Sequence, residues 1–162
     1  MNKKIVDSNQ LTLLAESSRA RGEKLVLTNG CFDLLHLGHI RYLEAARSLG
    51  DILIVAINGD DSVRALKGEG RPLNRERDRA GVVAALECVD HVVIFPEVRV
   101  TRLLERVRPA VYVKGGDYTA ETLDPEERAA LEKIDAEIRI LPFEPGYSTS
   151  ELIERMKRLS SP

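Results

Sequence analysis

The sequence predicts an α/β fold, a doubly wound five-stranded parallel sheet with helices on both faces, and three observations predict it. Five short runs of mostly branched apolar residues recur along the 162 residues, each with the length and residue types of a buried strand. Segments of helical period separate them, and strict alternation of this kind calls for parallel pairing through right-handed crossovers. Glycines and functional polar groups collect just after the runs, at the sheet edge where open α/β sheets bind their ligands.

The elements follow in order. A helix is expected over 8–21, from a cap at Ser8 to a stop at Gly22, before a strand over 25–28. The helix over 39–49 sets Ile40, Leu43, Ala46 and Leu49 roughly on one face and ends before Gly50. A strand over 52–57, a helix over 75–87, a strand over 91–95 and a helix over 100–107 stopped by Pro109 come next. After a strand over 110–113, the helix over 124–134 has a cap at Asp124, proline at the next position and Glu127 three on. A last strand covers 137–141, and Ser148 with Glu151 repeats the capping pattern ahead of a helix over 152–159. The result is one Rossmann-like domain over 1–162, with a helical extension at 1–23. Asn29-Gly30-Cys31, Asn58-Gly59-Asp60, Pro96-Glu97, Lys114-Gly115-Gly116-Asp117 and Pro142-Phe143 all fall at the predicted binding edge.

Composition narrows the function. Apolar residues at 43% and charged residues at 31% suit a globular protein. A formal net charge of −2 argues against a general nucleic-acid binder, which needs a large basic excess. Residues 1–7 carry two lysines but no apolar stretch behind them, and the longest apolar run, 52–57, is too short to span a bilayer. The two cysteines, Cys31 and Cys88, show neither metal-ligand nor disulfide spacing, which suits a reducing compartment. A cytoplasmic protein with no membrane or nucleic-acid partner is expected.

The informative stretch runs from Thr28 to His39: a strand end, a glycine-containing turn and the opening of a helix. His36 and His39, three apart, share a helical face there, where imidazoles and free backbone N–H groups can bind phosphate oxygens. Gly38 removes a side chain that would crowd such a phosphate. Residue types alone also allow a pair of capping or partly buried histidines, or a zinc pair. Zinc would need further ligands, whereas His91 opens a different strand. A redox role for Cys31 lacks a resolving partner. The first strand lacks the G-x-G-x-x-G turn of dinucleotide enzymes, and no G-K-[ST] phosphate loop occurs.

Gly30-Cys31-Phe32-Asp33-Leu34-Leu35-His36-Leu37-Gly38-His39 resembles the G-x-F-D-x-x-H-x-G-H signature of the cytidylyltransferase-like nucleotidyltransferases. Leu66-Lys67-Gly68, Arg71-Pro72, Arg79, Val113 to Tyr118 and Gly146-Tyr147-Ser148-Thr149-Ser150 extend the likeness, over roughly 24–156, to the branch of heptose 1-phosphate adenylyltransferases. Glycerol-phosphate cytidylyltransferases have an arginine-containing segment before their final Gly-x-Ser-Thr, whereas this chain reads Pro142-Phe143-Glu144-Pro145-Gly146.

The resemblance implies that His36, His39 and Lys67 are catalytic, with Lys67 in a mobile loop over the phosphates. It implies nucleotide contacts from Asn29, Gly30, Cys31, Phe32, His36, Gly38, His39, Gly146, Tyr147, Ser148, Thr149 and Ser150. Acceptor contacts fall to Asp33, Lys67, Arg79, Lys114 and Asp117, with Arg79 facing the acceptor phosphate. The implied substrates are ATP and a sugar 1-phosphate, with Mg²⁺ held through the phosphates and no protein metal ligand. A homodimer or higher homo-oligomer, and a separate heptose kinase supplying the acceptor, are also implied. The competing expectations are CTP with glycerol 3-phosphate, another phosphorylated acceptor, or a nucleotide-binding protein without turnover.

Overall fold

Side chains along a β-strand point alternately to its two faces, so a strand of continuous apolar residues must be covered on both. β1 (Leu25–Gly30), β2 (Ile52–Asn58), β3 (His91–Phe95) and β4 (Val111–Gly115) are largely buried in this way, whereas the edge strand β5 (Glu137–Leu141) alternates exposed charged and partly buried apolar residues, in a computed structural model that describes residues 2–116, 118, 119, 121–142 and 145–160. They form one parallel sheet in the order β3-β2-β1-β4-β5. Leu25, Leu27, Ile54, Ala56, Val93, Phe95 and Tyr112 belong to one core layer, and Val26, Leu53, Val55, Ile57, Val92, Val111 and Val113 to the other. The expected doubly wound α/β class is the observed one.

Helices complete the layers. α1 (Ser8–Ala20), α5 (Thr101–Val107) and α6 (Pro125–Lys133) supply Leu11, Ala15, Leu103, Leu104 and Leu131 to the first. α2 (Leu37–Arg47) and α4 (Glu76–Ala84) supply Leu43, Ala46, Ala80 and Val83 to the second. The N-terminal helical segment is thus packed into the core, and Ile5 bridges to Val92 beyond it. α1 is capped by Asp7 rather than the expected Ser8. The Asp7 carboxylate accepts the Asn9 and Gln10 N–H groups at 2.8 Å each, and Gln10 Oε1 accepts the Asp7 N–H at 2.9 Å.

α3 (Asp60–Lys67) was not anticipated, and α7 (Thr149–Ser160) closes the order. Strand order reverses around β1: the chain winds outward through β2 and β3 on one side, then through β4 and β5 on the other. Open α/β sheets bind their ligands outside the carboxyl ends of the strands at such a switch point, here between β1 and β4.

Candidate active site

The turn after β1 is shaped by its smallest and largest residues. A Cβ on Gly30 would lie 2.9 Å from the Phe32 ring, so only glycine lets that ring fold back over the strand end. Phe32 itself sits at φ 47, a left-handed conformation unusual for an aromatic residue and held here by burial of the ring. Its ring lies 5.5 Å from that of His39.

Asp33 organises the far side of the turn. Its carboxylate accepts Arg71 Nε at 2.7 Å and the backbone N–H groups of Leu73 and Asn74 at 2.9 Å. Burial works against ionisation, but these donors hold the carboxyl below its ordinary range. With its side chain 1% exposed, Asp33 anchors the 71–74 loop, and its expected contact with an acceptor stands as a proposal.

His36 is the N-cap residue of α2 and His39 stands in its first turn. The two rings stack with centroids 3.9 Å apart, and the His36 N–H reaches His39 Nδ1 at 3.4 Å. Burial, reinforced by the neighbouring His36, pushes His39 down to about 4; burial lowers His36 as well. Both imidazoles are therefore neutral at pH 7, each with one N–H to donate. His36 Nδ1 is buried without a hydrogen-bond partner, an unmet polar atom of the kind found at ligand sites.

The loop ahead of α7 covers this pair. The Tyr147 ring stacks on His36 at 5.9 Å, and Thr149 Oγ1 donates to the Leu34 carbonyl at 3.3 Å. Ser148 Oγ accepts the Glu151 N–H at 3.4 Å, the capping expected there. Gly146 takes φ +82, which glycine allows without strain. A Cβ on Gly38 would meet Tyr147 Cβ at 2.8 Å and His36 Nδ1 at 3.1 Å, so Gly38 lets the two segments close on each other. The N-termini of α2 and α7, with the hydroxyls of Ser148, Thr149 and Ser150 on the latter, thus meet at one end of the sheet, where free N–H groups favour an anion.

The expected cations separate into two kinds. Lys67 is exposed at the end of α3, followed by Gly68 at φ 91, so it projects from a helix terminus rather than from within a loop. Its ammonium acts on Cys31, whose thiol is nonetheless pushed up by burial, which argues against a reactive thiolate. Lys114, at the end of β4, lies 3.6 Å from Glu127 Oε2 and 5.1 Å from the centre of the Tyr118 ring. Arg79 is different. It is 1% exposed, and its guanidinium donates to the carbonyls of Asn74 (3.0 Å), Cys31 (2.5 Å) and Asn58 (2.8 Å) and to Asp60 Oδ1 (2.8 Å). It ties β1, β2 and α4 together while also lining a pocket with Phe32, Asp33 and Asn74, and its expected contact with an acceptor phosphate stands as a proposal. Asp117 lies outside the described residues.

Two site-edge residues escaped the sequence reading. Tyr112 is fully buried and Glu127 is 5% exposed, and their polar atoms join Asn29 at the end of β1 to Lys114 at the end of β4. Glu127 stands three and four residues before the buried Ala130 and Leu131, a spacing that marks the core face of α6.

Known proteins are similar to this arrangement. The chain is 47% identical over 155 residues to the bifunctional protein HldE of Geobacter metallireducens, covering 96% of this chain and 31% of that one. It is 49% identical over 156 residues to the bifunctional protein HldE of Aeromonas hydrophila, covering 94% of this chain and 32% of that one. It thus spans about a third of the length of these relatives. A crystal structure of the lipopolysaccharide core biosynthesis protein from Thermoplasma volcanium superposes with a TM-score of 0.63 at 28% identity, covering 76% of this chain and 98% of that one. The family model described as cytidylyltransferase-like matches residues 27–155, from β1 into α7, and the chain belongs to that family.

Proposed function

We propose that this chain is an adenylyltransferase that joins the AMP of ATP to D-glycero-D-manno-heptose 1-phosphate, giving ADP-heptose and pyrophosphate. The observation that carries the reading is the stacked, neutral His36–His39 pair at the start of α2, with Gly38 between them and the N-terminus of α7 alongside. Its likeness to HldE proteins over nearly the whole chain, and the motif resemblance, support the heptose acceptor and ATP.

A phosphate oxygen of the sugar phosphate attacks the α-phosphorus of ATP in line. The new P–O bond forms as the bond to the bridging oxygen breaks, and pyrophosphate leaves with that electron pair. The attacking oxygen is already anionic, so no protein nucleophile or general base is required. His36 and His39 donate to the α-phosphate oxygens as charge builds in the five-coordinate transition state. Gly30 to Phe32, Gly146, Tyr147 and the N–H and hydroxyl groups of Ser148 to Ser150 hold the nucleotide. Lys67 and Lys114 offset the repulsion between the two anionic substrates. We retain Asp33, Arg79 and Asp117 as further acceptor contacts.

Mg²⁺ carried by the phosphates of the two substrates is part of the proposal; among the described residues no group of three or more His, Cys, Asp or Glu could hold a metal ion. When bound it neutralises charge on the departing pyrophosphate. The proposal includes a cytoplasmic homo-oligomer and a kinase that supplies the sugar 1-phosphate; among the described residues no helix is long and apolar enough to cross a membrane. Pyrophosphate release with Mg²⁺ tests it, comparing ATP and CTP with heptose 1-phosphate and with glycerol 3-phosphate. Release with ATP and the heptose alone is the expected result. Release with CTP and glycerol 3-phosphate would move the chain to another branch, and silence in every mixture would leave a nucleotide-binding protein.

A further inference from the structure

The switch point between the ends of β1 and β4 carries a polar quartet of which the mechanism above uses only Lys114. The Tyr112 hydroxyl lies 2.7 Å from Asn29 Oδ1 and 3.4 Å from Glu127 Oε2. It has one proton, and the shorter contact takes it. Burial, then the Glu127 carboxylate, push this hydroxyl well above its ordinary range, so it remains a donor. Glu127 Oε2 is met by the Lys114 ammonium at 3.6 Å, and the same ammonium reaches Tyr112 Oη at 3.3 Å and faces the half-exposed Tyr118 ring.

The consequence for Asn29 is directional. With Oδ1 held inward by Tyr112, its NH₂ group is turned away from the quartet and has no partner among the described residues. Asn29 and Lys114 thus each stand one hydrogen bond from the same tyrosine oxygen, at the ends of the two strands that flank the switch point. One offers neutral amide donors and the other an ammonium, a pair suited to hydroxyls and a phosphate on the same molecule.

We propose that Tyr112 and Glu127 are positioning residues for the acceptor, Tyr112 by orienting the Asn29 amide and Glu127 by holding Lys114, so that the two strand ends clamp a phosphorylated polyhydroxyl compound. This rests on the transferase reading. It shifts Asn29 from the nucleotide to the acceptor and gives a buried carboxylate a role no motif assigns.

The test is steady-state kinetics on the full chain, with both Michaelis constants measured for wild type, Tyr112→Phe, Lys114→Met, Glu127→Gln and the Lys114→Met/Glu127→Gln double variant. Tyr112→Phe keeps the ring and removes the hydroxyl. It should raise the acceptor KM about tenfold, the scale of one hydrogen bond, while the ATP KM stays within about twofold. Lys114→Met and Glu127→Gln should each raise the acceptor KM, and the double variant should be no worse than Lys114→Met alone, since Glu127 acts through the lysine. Equal rises in both Michaelis constants with a lowered Tm, or additive effects in the double variant, would reduce the quartet to a structural plug and overturn the proposal. Should Tyr112→Phe fail to fold, Asn29→Asp asks the same question from the open end of the network: a selective rise in acceptor KM supports the clamp, and an unchanged ratio overturns it. A wild type with no turnover overturns the transferase reading and this proposal together. An active wild type with unshifted ratios in the variants overturns this proposal alone.

Discussion

Gly38→Ala is the sharpest single perturbation, because its geometry is known to the atom. The added methyl would lie 2.8 Å from Tyr147 Cβ and 3.1 Å from His36 Nδ1. Carbon atoms pack at about 3.5–4.0 Å, so Tyr147 and α2 must separate by roughly 0.7 Å or more. The Tyr147 atom concerned is its Cβ, which rotation about χ1 leaves in place, so the loop ahead of α7 has to move as a whole. A misplacement of about 1 Å costs on the order of 100-fold in rate where positioning dominates catalysis. Stability should change much less. Alanine gains about 0.5–1 kcal/mol over glycine in a helix, against about 1–3 kcal/mol for overpacking, a net loss of at most roughly 2.5 kcal/mol. Gly81→Ala is the matched control, since Gly81 also lies in a helix, α4, and its added methyl would meet nothing within 4 Å. The assay is kcat/KM by coupled pyrophosphate detection, alongside urea denaturation. Gly38→Ala should lose about 100-fold in kcat/KM while remaining folded, and Gly81→Ala should match wild type in activity and gain slightly in stability. Wild-type turnover in Gly38→Ala would refute the claim that the α2 and α7 termini must close to this distance.

Four further predictions rest on the same geometry. His39→Ala should fold normally and lose about 100-fold or more in kcat/KM, the value of one transition-state donor; turnover near wild type would remove His39 from the chemistry. His39 in the folded chain titrates near 4, below its ordinary 6.5, so the unfolded chain takes up the proton first on acidification. Folding stability should therefore be full above pH 6.5 and decline as pH falls toward 4, with a weaker decline in His39→Ala by urea titration across that range. Bound triphosphate should raise the same pKa, so calorimetry at about pH 6 in buffers of different ionisation enthalpy should show more proton uptake on ATP binding in wild type than in His39→Ala; equal uptake would contradict it. Arg79→Ala leaves Asp60 and three carbonyls short of a buried donor, so it should destabilise the fold by about 3–5 kcal/mol in urea unfolding. Native stability with only the acceptor KM raised would instead confine Arg79 to the acceptor site.

Much of this was legible in advance, for identifiable reasons. His91–Phe95 and Glu137–Leu141 match their expected spans because turn residues bound short branched runs there. Parallel pairing followed from alternation, whereas the order β3-β2-β1-β4-β5 was not read from the sequence. α3 escaped because Asp60 to Lys67 holds only two large apolar residues, Val63 and Leu66, and an acidic start after glycine reads as a loop. The expected capping box at Asp124 was half right: Asp124 accepts from the Glu126 and Glu127 N–H groups, but the Glu127 side chain turns to Lys114 instead.

The histidine pair was visible because its chemistry is local to four residues. The structural partners of Arg79 and Asp33 were not legible, because charge suggests solvent or ligand, while these partners come from distant strands and loops that a linear pattern does not reveal. Arg79 does stand four residues before the buried Val83, on the core side of α4, which is the one local sign of its burial.

The central claim is transfer of a nucleotidyl group to a sugar phosphate beside His36 and His39, and following the α-phosphate tests it most directly. With ATP labelled at the α-phosphorus, Mg²⁺, heptose 1-phosphate and pyrophosphatase, the label should pass into ADP-heptose in wild type and scarcely at all in His39→Ala. Label that stays in ATP or appears only as AMP, whichever acceptor is supplied, would contradict the account.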